Sequence, residues 1–238
     1  MPYDVDALIE RLAARSDAGY AEFHRALIPG TACVVMGVRV PELRAISREI
    51  LKGSDWRDFL EASRAHSFYE LRMLHGFVLG GAKCPVDEKI QLAEAFLPHV
   101  DNWAVCDGLC SSFKPKAAEG EAVFEWCRAC ASSDGVFRKR FGLVMLMSHF
   151  RAGPYIDGVI EVYRQFRHDA YYARMAAAWG LATLWIDAPE ACRSILRENL
   201  WDPFTHNKAI QKLCESRRIS DADKALARSL RRTGEDTR

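Results

Sequence analysis

Trp103 and Asp107 stand four residues apart, a spacing that puts two side chains on one face of a helix. Arg140 and Trp179 follow in stretches of the same helical character. A carboxylate flanked by indoles suits a cationic transition state, because its charge attracts the cation and the π faces add cation–π stabilisation. A guanidinium nearby suits a phosphate. Each residue type also has an ordinary role. Tryptophans at helical spacing commonly fill cores, and a helix aspartate is commonly solvated or ion-paired. The residues alone leave both readings open.

The cysteines pose a second question. Cys106 and Cys110 form a Cys-x3-Cys pair, and after sixteen intervening residues Cys127 and Cys130 form a Cys-x2-Cys pair. Structural zinc sites present such pairs on tight knuckles. Here both pairs fall in helical stretches, so small buried thiols are expected and no metal site. The chain carries no His-Glu-x-x-His, Gly-x-Ser-x-Gly, P-loop or dinucleotide fingerprint, and no cofactor is expected.

The elements that must position these residues read as helices throughout. Apolar residues recur at steps of three and four, as in Ile90, Ala93, Phe96 and Leu97, or Phe141, Val144 and Met145. The main break is Ile28–Gly37, which sets off an N-terminal helical pair over 1–36. Pro41, Pro85, Pro189 and Pro203 stand where first helical turns should begin. Asp101, Asp134, Asp169 and Asp202 each have the character of a helix N-cap, at intervals of 33, 35 and 33 residues. Between them lie further helical patterns at 119–131, 155–166 and 189–198. Helix pairs at this period predict a HEAT-like stack. The expected fold is an all-α superhelix of HEAT-like hairpins with a concave groove, one domain over 1–238 with the N-terminal pair packed on the solenoid. Gly108, Gly142 and Gly180 inside helices predict close helix approach.

Stacked repeats align equivalent positions in columns. One column reads Asp107, Arg140, Met175 and Lys208, and its neighbour Cys106, Lys139, Arg174 and Asn207. A core column should be apolar, so these are expected to line a groove; solvated faces with ion pairs along each helix are the plainer alternative. Arg140, Lys139, Arg174, Lys208 and Asn207 are thus the candidate binding residues.

The formal net charge of the 238 residues is only +1. A nucleic-acid partner would need a local patch. Such patches exist in sequence: 205–238 holds nine Lys/Arg against five Asp/Glu, and 134–174 seven against four. Met1–Arg15 is charged throughout, unlike a signal peptide, and no apolar run reaches a membrane span. Eight cysteines without secreted-domain spacing predict reduced thiols and a cytoplasmic protein.

At these residues a resemblance emerges. The stretch 101–107 (Asp-Asn-Trp-Ala-Val-Cys-Asp) resembles the segment of the AlkD-like DNA alkylation repair glycosylases that carries a Trp and an Asp at this separation. Residues 134–140 resemble the segment with the family's phosphate-contacting arginine, which falls on Arg140; residues 171–179 resemble that with its second active-site tryptophan, which falls on Trp179. Segments 37–44 and 207–212 also look like family segments, so the similarity runs from about residue 30 to about 215. The resemblance implies a HEAT-like fold and a monofunctional glycosylase. Its substrate would be double-stranded DNA bearing positively charged N3- or N7-alkylated purines, handled without deep base flipping. Trp103 and Trp179 would pack on the sugar, Asp107 would stabilise the oxocarbenium ion and help place the water, and Arg140 would hold a phosphate. A monomer without cofactor or membrane partner is expected, nucleoid-associated when bound to DNA. One departure stands out: well-known members have two adjacent tryptophans, where this chain has Asn102 before Trp103. The alternatives are a non-catalytic HEAT-like binder of bent, branched or damaged DNA, and a protein-interaction solenoid.

Overall fold

The computed structural model describes residues 3–233. They form fourteen α-helices and no β-strand; one isolated parallel bridge joins Val34 to Phe68. The chain divides into two compact units, Met1–Glu119 and Gly120–Arg238.

The first unit holds α1 (Val5–Ala13), α2 (Ala18–Leu27), α3 (Val40–Ile50), α4 (Trp56–Ser63), α5 (Tyr69–Gly81), α6 (Val86–Phe96) and α7 (Trp103–Ser112). Its centre is α5, which packs most extensively on α7 and also on α3, α4 and α6. The sequence explains this position. From Met73 to Gly80 every residue of α5 is buried, so the helix is apolar all round rather than along one stripe.

The second unit holds α8 (Gly120–Ser132), α9 (Val136–His149), α10 (Ile156–Arg164), α11 (Tyr171–Leu184), α12 (Pro189–Arg197), α13 (Pro203–Glu215) and α14 (Asp221–Ser229). Helix α8 packs most extensively on α9, α10 meets α8, α9, α11 and α12, and α12 also meets α11. Helices α9, α11 and α13 pack side by side in a row, and α14 packs on α13. The patterns expected at 119–131, 155–166 and 189–198 are α8, α10 and α12. Pro189 and Pro203 open their helices, Pro41 is the second residue of α3, and Pro85 stands at the N-cap of α6. The all-α, repeat-like reading of the sequence therefore holds.

The capping scheme needs correction. Only Asp202 caps as expected, accepting the Thr205 amide at 3.1 Å. In the other three repeats the helix starts one residue later, after Asn102, Gly135 or Ala170. Asn102 takes over the capping of α7, while α9 and α11 have no side-chain cap. Asp101 is diverted because partners distant in sequence hold its carboxylate.

The expectation of close helix approach is met at Gly142. A Cβ there would lie 2.3 Å from the Ala131 amide nitrogen and 2.6 Å from the Cys127 carbonyl oxygen, so α8 lies on the bare backbone of α9. At Gly180 a Cβ would come 2.0 Å from the Tyr163 hydroxyl.

Within the first unit, His75 on α5 is 2 % exposed, stacks on Phe96 at 3.9 Å between centroids and lies 2.9 Å from the Ser63 hydroxyl through Nδ1. Burial pushes its pKa from the usual 6.5 down to about 3, so the folded form carries a neutral ring. The unfolded chain then binds the extra proton below about pH 6.5, and stability must fall with acidification by up to about 1.4 kcal/mol per pH unit. Urea unfolding near pH 7 and near pH 5 should show this loss, and His75→Gln should remove one proton's worth of the slope.

Candidate active site

Helix α7 carries Trp103 on its first turn and Asp107 one turn later, both half-buried. Its start is fixed by several hydrogen bonds. The fully buried Asn102 accepts from the Val105 amide at 3.0 Å and donates through Nδ2 to Asp101 at 2.9 Å. Asp101 also accepts from the Thr31 hydroxyl (3.0 Å) and the Ala32 amide (2.9 Å), and pairs with Arg72 at 3.4 Å. Arg72 in turn donates to the carbonyls of His66 and His99. The Trp103 indole N–H donates to the carbonyl of Leu27, the last residue of α2, at 2.8 Å. Asn102, in the place where the resemblance has a second tryptophan, is thus the residue that orients the helix carrying Trp103 and Asp107.

The segment that interrupts the helical pattern is itself anchored. Glu70, fully buried at the start of α5, accepts from the amides of Met36 (3.1 Å), Gly37 (2.8 Å) and Val38 (3.3 Å). Burial raises the Glu70 pKa above the usual carboxylate range although these amides pull it down. Gly37 has φ +90°, and a Cβ there would lie 2.1 Å from the Asp17 carbonyl oxygen, so this turn requires glycine.

The other sequence-derived candidates lie in the second unit. Arg140 on α9 is 5 % exposed and donates to the Tyr172 carbonyl at 3.0 Å. Lys139 is buried with its ammonium 5.8 Å from the Phe166 ring centre; desolvation lowers its pKa while Asp134 opposes the shift. Arg174 pairs with Asp202 at 3.4 Å and lies 4.4 Å from the Phe204 ring centre. Lys208 approaches the same ring at 5.8 Å and donates to Gln211. Asn207 is buried, and its amide makes both hydrogen bonds of a pair with the Arg232 backbone, at 2.9 and 3.0 Å. Trp179 stands 40 % exposed on α11. The structure therefore gathers Arg174 and Lys208 on one ring, while it commits Asn207 to the backbone after α14.

The polar columns are neither apolar core nor open solvated faces. Cys106, Lys139, Arg140 and Asn207 are buried, and Asp107, Arg174, Met175 and Lys208 are half-buried. Sequence reasoning missed an aromatic column beside them. Phe137, Tyr172 and Phe204 are each the second residue of α9, α11 and α13. Phe137 meets Tyr172 at 5.3 Å, and the 52 % exposed Tyr171 meets Tyr172 at 5.4 Å and Phe204 at 6.1 Å. The signal was available as aromatics recurring at nearly the repeat period. Such rings interleaved with Arg174 and Lys208 form a surface fit for nucleic acid.

Residues 8–213 match the family described as DNA alkylation repair enzyme. The chain belongs to this family. No curated protein gives a significant match. Membership makes the chain an enzyme of DNA alkylation repair, with DNA as its substrate class. For this DNA alkylation repair enzyme the described residues include no helix long and apolar enough to cross a membrane. Cys106 and Cys110 are buried within α7, and Cys127 and Cys130 within α8.

Proposed function

We propose that the protein is a monofunctional DNA glycosylase that excises positively charged N3- or N7-alkylated purines from duplex DNA. The observation that carries this reading is Asp107. It is a half-buried carboxylate one helical turn beyond an indole anchored at Leu27, in a chain of the alkylation repair family. The bond between the sugar C1′ and the purine nitrogen breaks with its electron pair going to the base, whose positive charge is thereby neutralised. No general acid is required at such a leaving group. The sugar is left as an oxocarbenium-like cation, which Asp107 stabilises electrostatically. Water adds to C1′ and releases its proton, yielding the free base and an abasic site. Trp103 packs on the deoxyribose. Trp179 supplies an aromatic contact to the DNA from the second unit, and Arg140 a phosphate contact. Arg174 and Lys208 extend the basic surface, and the buried Lys139 and Asn207 support it. The protein acts as a cytoplasmic monomer without a cofactor.

Release of 7-methylguanine or 3-methyladenine from methylated duplex under single-turnover conditions tests the proposal. Duplex binding with no release of either base would leave only a damage-binding role. Trp179→Ala should lower kcat/KM for release about tenfold, the effect of losing roughly 1.4 kcal/mol of aromatic contact. An unchanged kcat/KM would remove Trp179 from the site.

A further inference from the structure

A basic recess of about 300 Å³ opens in the first unit between the C-terminal parts of α3, α5 and α7. Its charged lining is Arg44, Arg48 and Lys114, with Ser111, Ser112 and Phe77 between them and no carboxylate. Arg44 is held there without being neutralised. Its guanidinium lies 4.2 Å from the Phe77 ring centre, and it donates to the hydroxyls of Ser111 (3.0 Å) and Ser112 (3.4 Å). Both serines donate their own protons to the Gly108 carbonyl, so their lone pairs are turned to the arginine. Two of the five guanidinium N–H donors are used in this way, leaving three for an anion.

Most other arginines of the same unit are different. Arg11, Arg39, Arg57, Arg64 and Arg72 each pair with a carboxylate. Among the described residues, Arg44, Arg48 and Lys114 have no acidic partner. A concave site with three cations, two hydroxyls and a planar guanidinium fixed on a ring fits a phosphate.

Its position on α7 says which phosphate. Ser111 follows Asp107 by four residues, hence on the same stripe of the helix and about 6 Å further along its axis. Successive phosphates of one B-DNA strand rise by about 3.4 Å. We propose that this recess seats a backbone phosphodiester of the strand engaged at Asp107, one or two nucleotides from the alkylated one. The inference rests on the glycosylase reading above for the placement of the lesion at Asp107.

The test is the salt dependence of duplex affinity, read by fluorescence anisotropy for wild type, Arg44→Gln, Arg44→Lys and Lys114→Gln. Loss of one phosphate contact should reduce the slope of log affinity against log salt by about 0.9. Arg44→Gln should show that reduction, Arg44→Lys should restore most of the slope, and Lys114→Gln should reduce it. Lys114 is exposed and outside any helix, so its variant decides the matter if Arg44→Gln fails to fold. Slopes equal to wild type in Arg44→Gln and Lys114→Gln overturn the proposal. So does Arg44-dependent binding of inorganic phosphate with an unchanged duplex slope, which would make the recess a site for the free anion. Base release by wild type, assayed in parallel, separates the two readings. Release with unchanged slopes removes the recess alone; reduced slopes without release keep the recess as a DNA contact and remove the glycosylase.

Discussion

Asp107→Asn should cut single-turnover base release about a thousandfold while the protein folds and binds duplex DNA as before. The magnitude follows from charge alone. A carboxylate at roughly 4 Å from a forming cation, at an effective dielectric near 20, contributes about 4 kcal/mol, which is close to three decades in rate. Asparagine keeps the size of the side chain and one acceptor oxygen, and Asp107 is only half-buried on a helix capped independently by Asn102. Thermal melting should therefore coincide with wild type. Duplex affinity should hold or rise slightly, since the change removes a negative charge from the partner of a polyanion. Residual activity within tenfold of wild type would show that the leaving group's own lability, and not this carboxylate, carries the reaction.

Gly142→Ala should be among the most damaging single methyl groups in the second unit. The added carbon would meet backbone atoms of α8 at 2.3 and 2.6 Å, and backbone cannot rotate away as a side chain can. Forcing α8 off α9 should cost about 3 kcal/mol, seen as a fall in Tm of roughly 6 to 12 °C. Gly135→Ala is the matched control. Its Cβ would rest 3.5 Å from the Arg138 Cβ, an ordinary contact, and its melting should stay close to wild type. Equal behaviour of the two variants would mean that α8 and α9 are not in the close packing described.

The hairpin organisation was legible because it is written locally. Pro189, Pro203 and Asp202 sit at helix starts for reasons confined to a few residues of backbone. Asp101 misled for the opposite reason. It looks like a cap, yet its carboxylate is held by Thr31, Ala32 and Arg72, partners that only the folded chain brings near. The adjacent Asn102 was an equally good capping type and does the capping. The repeat spacing singled out Arg140 and Asn207 as polar positions but not their burial, which depends on the Tyr172 carbonyl and the Arg232 backbone. Glu70 left no local trace: a glutamate on the first turn of a helix normally faces water, and this one is closed in by the turn at Gly37.

The bonds that reach α7 from Leu27, Thr31 and Ala32 bear on how the protein tolerates shortening. Without its opening stretch, the indole N–H of Trp103 would lose its acceptor and Asp101 would lose its hydroxyl and amide donors. Proteolytic trimming there could thus spare most of the helical content and still silence the enzyme, because the leading segment acts as a splint for residues some seventy positions downstream.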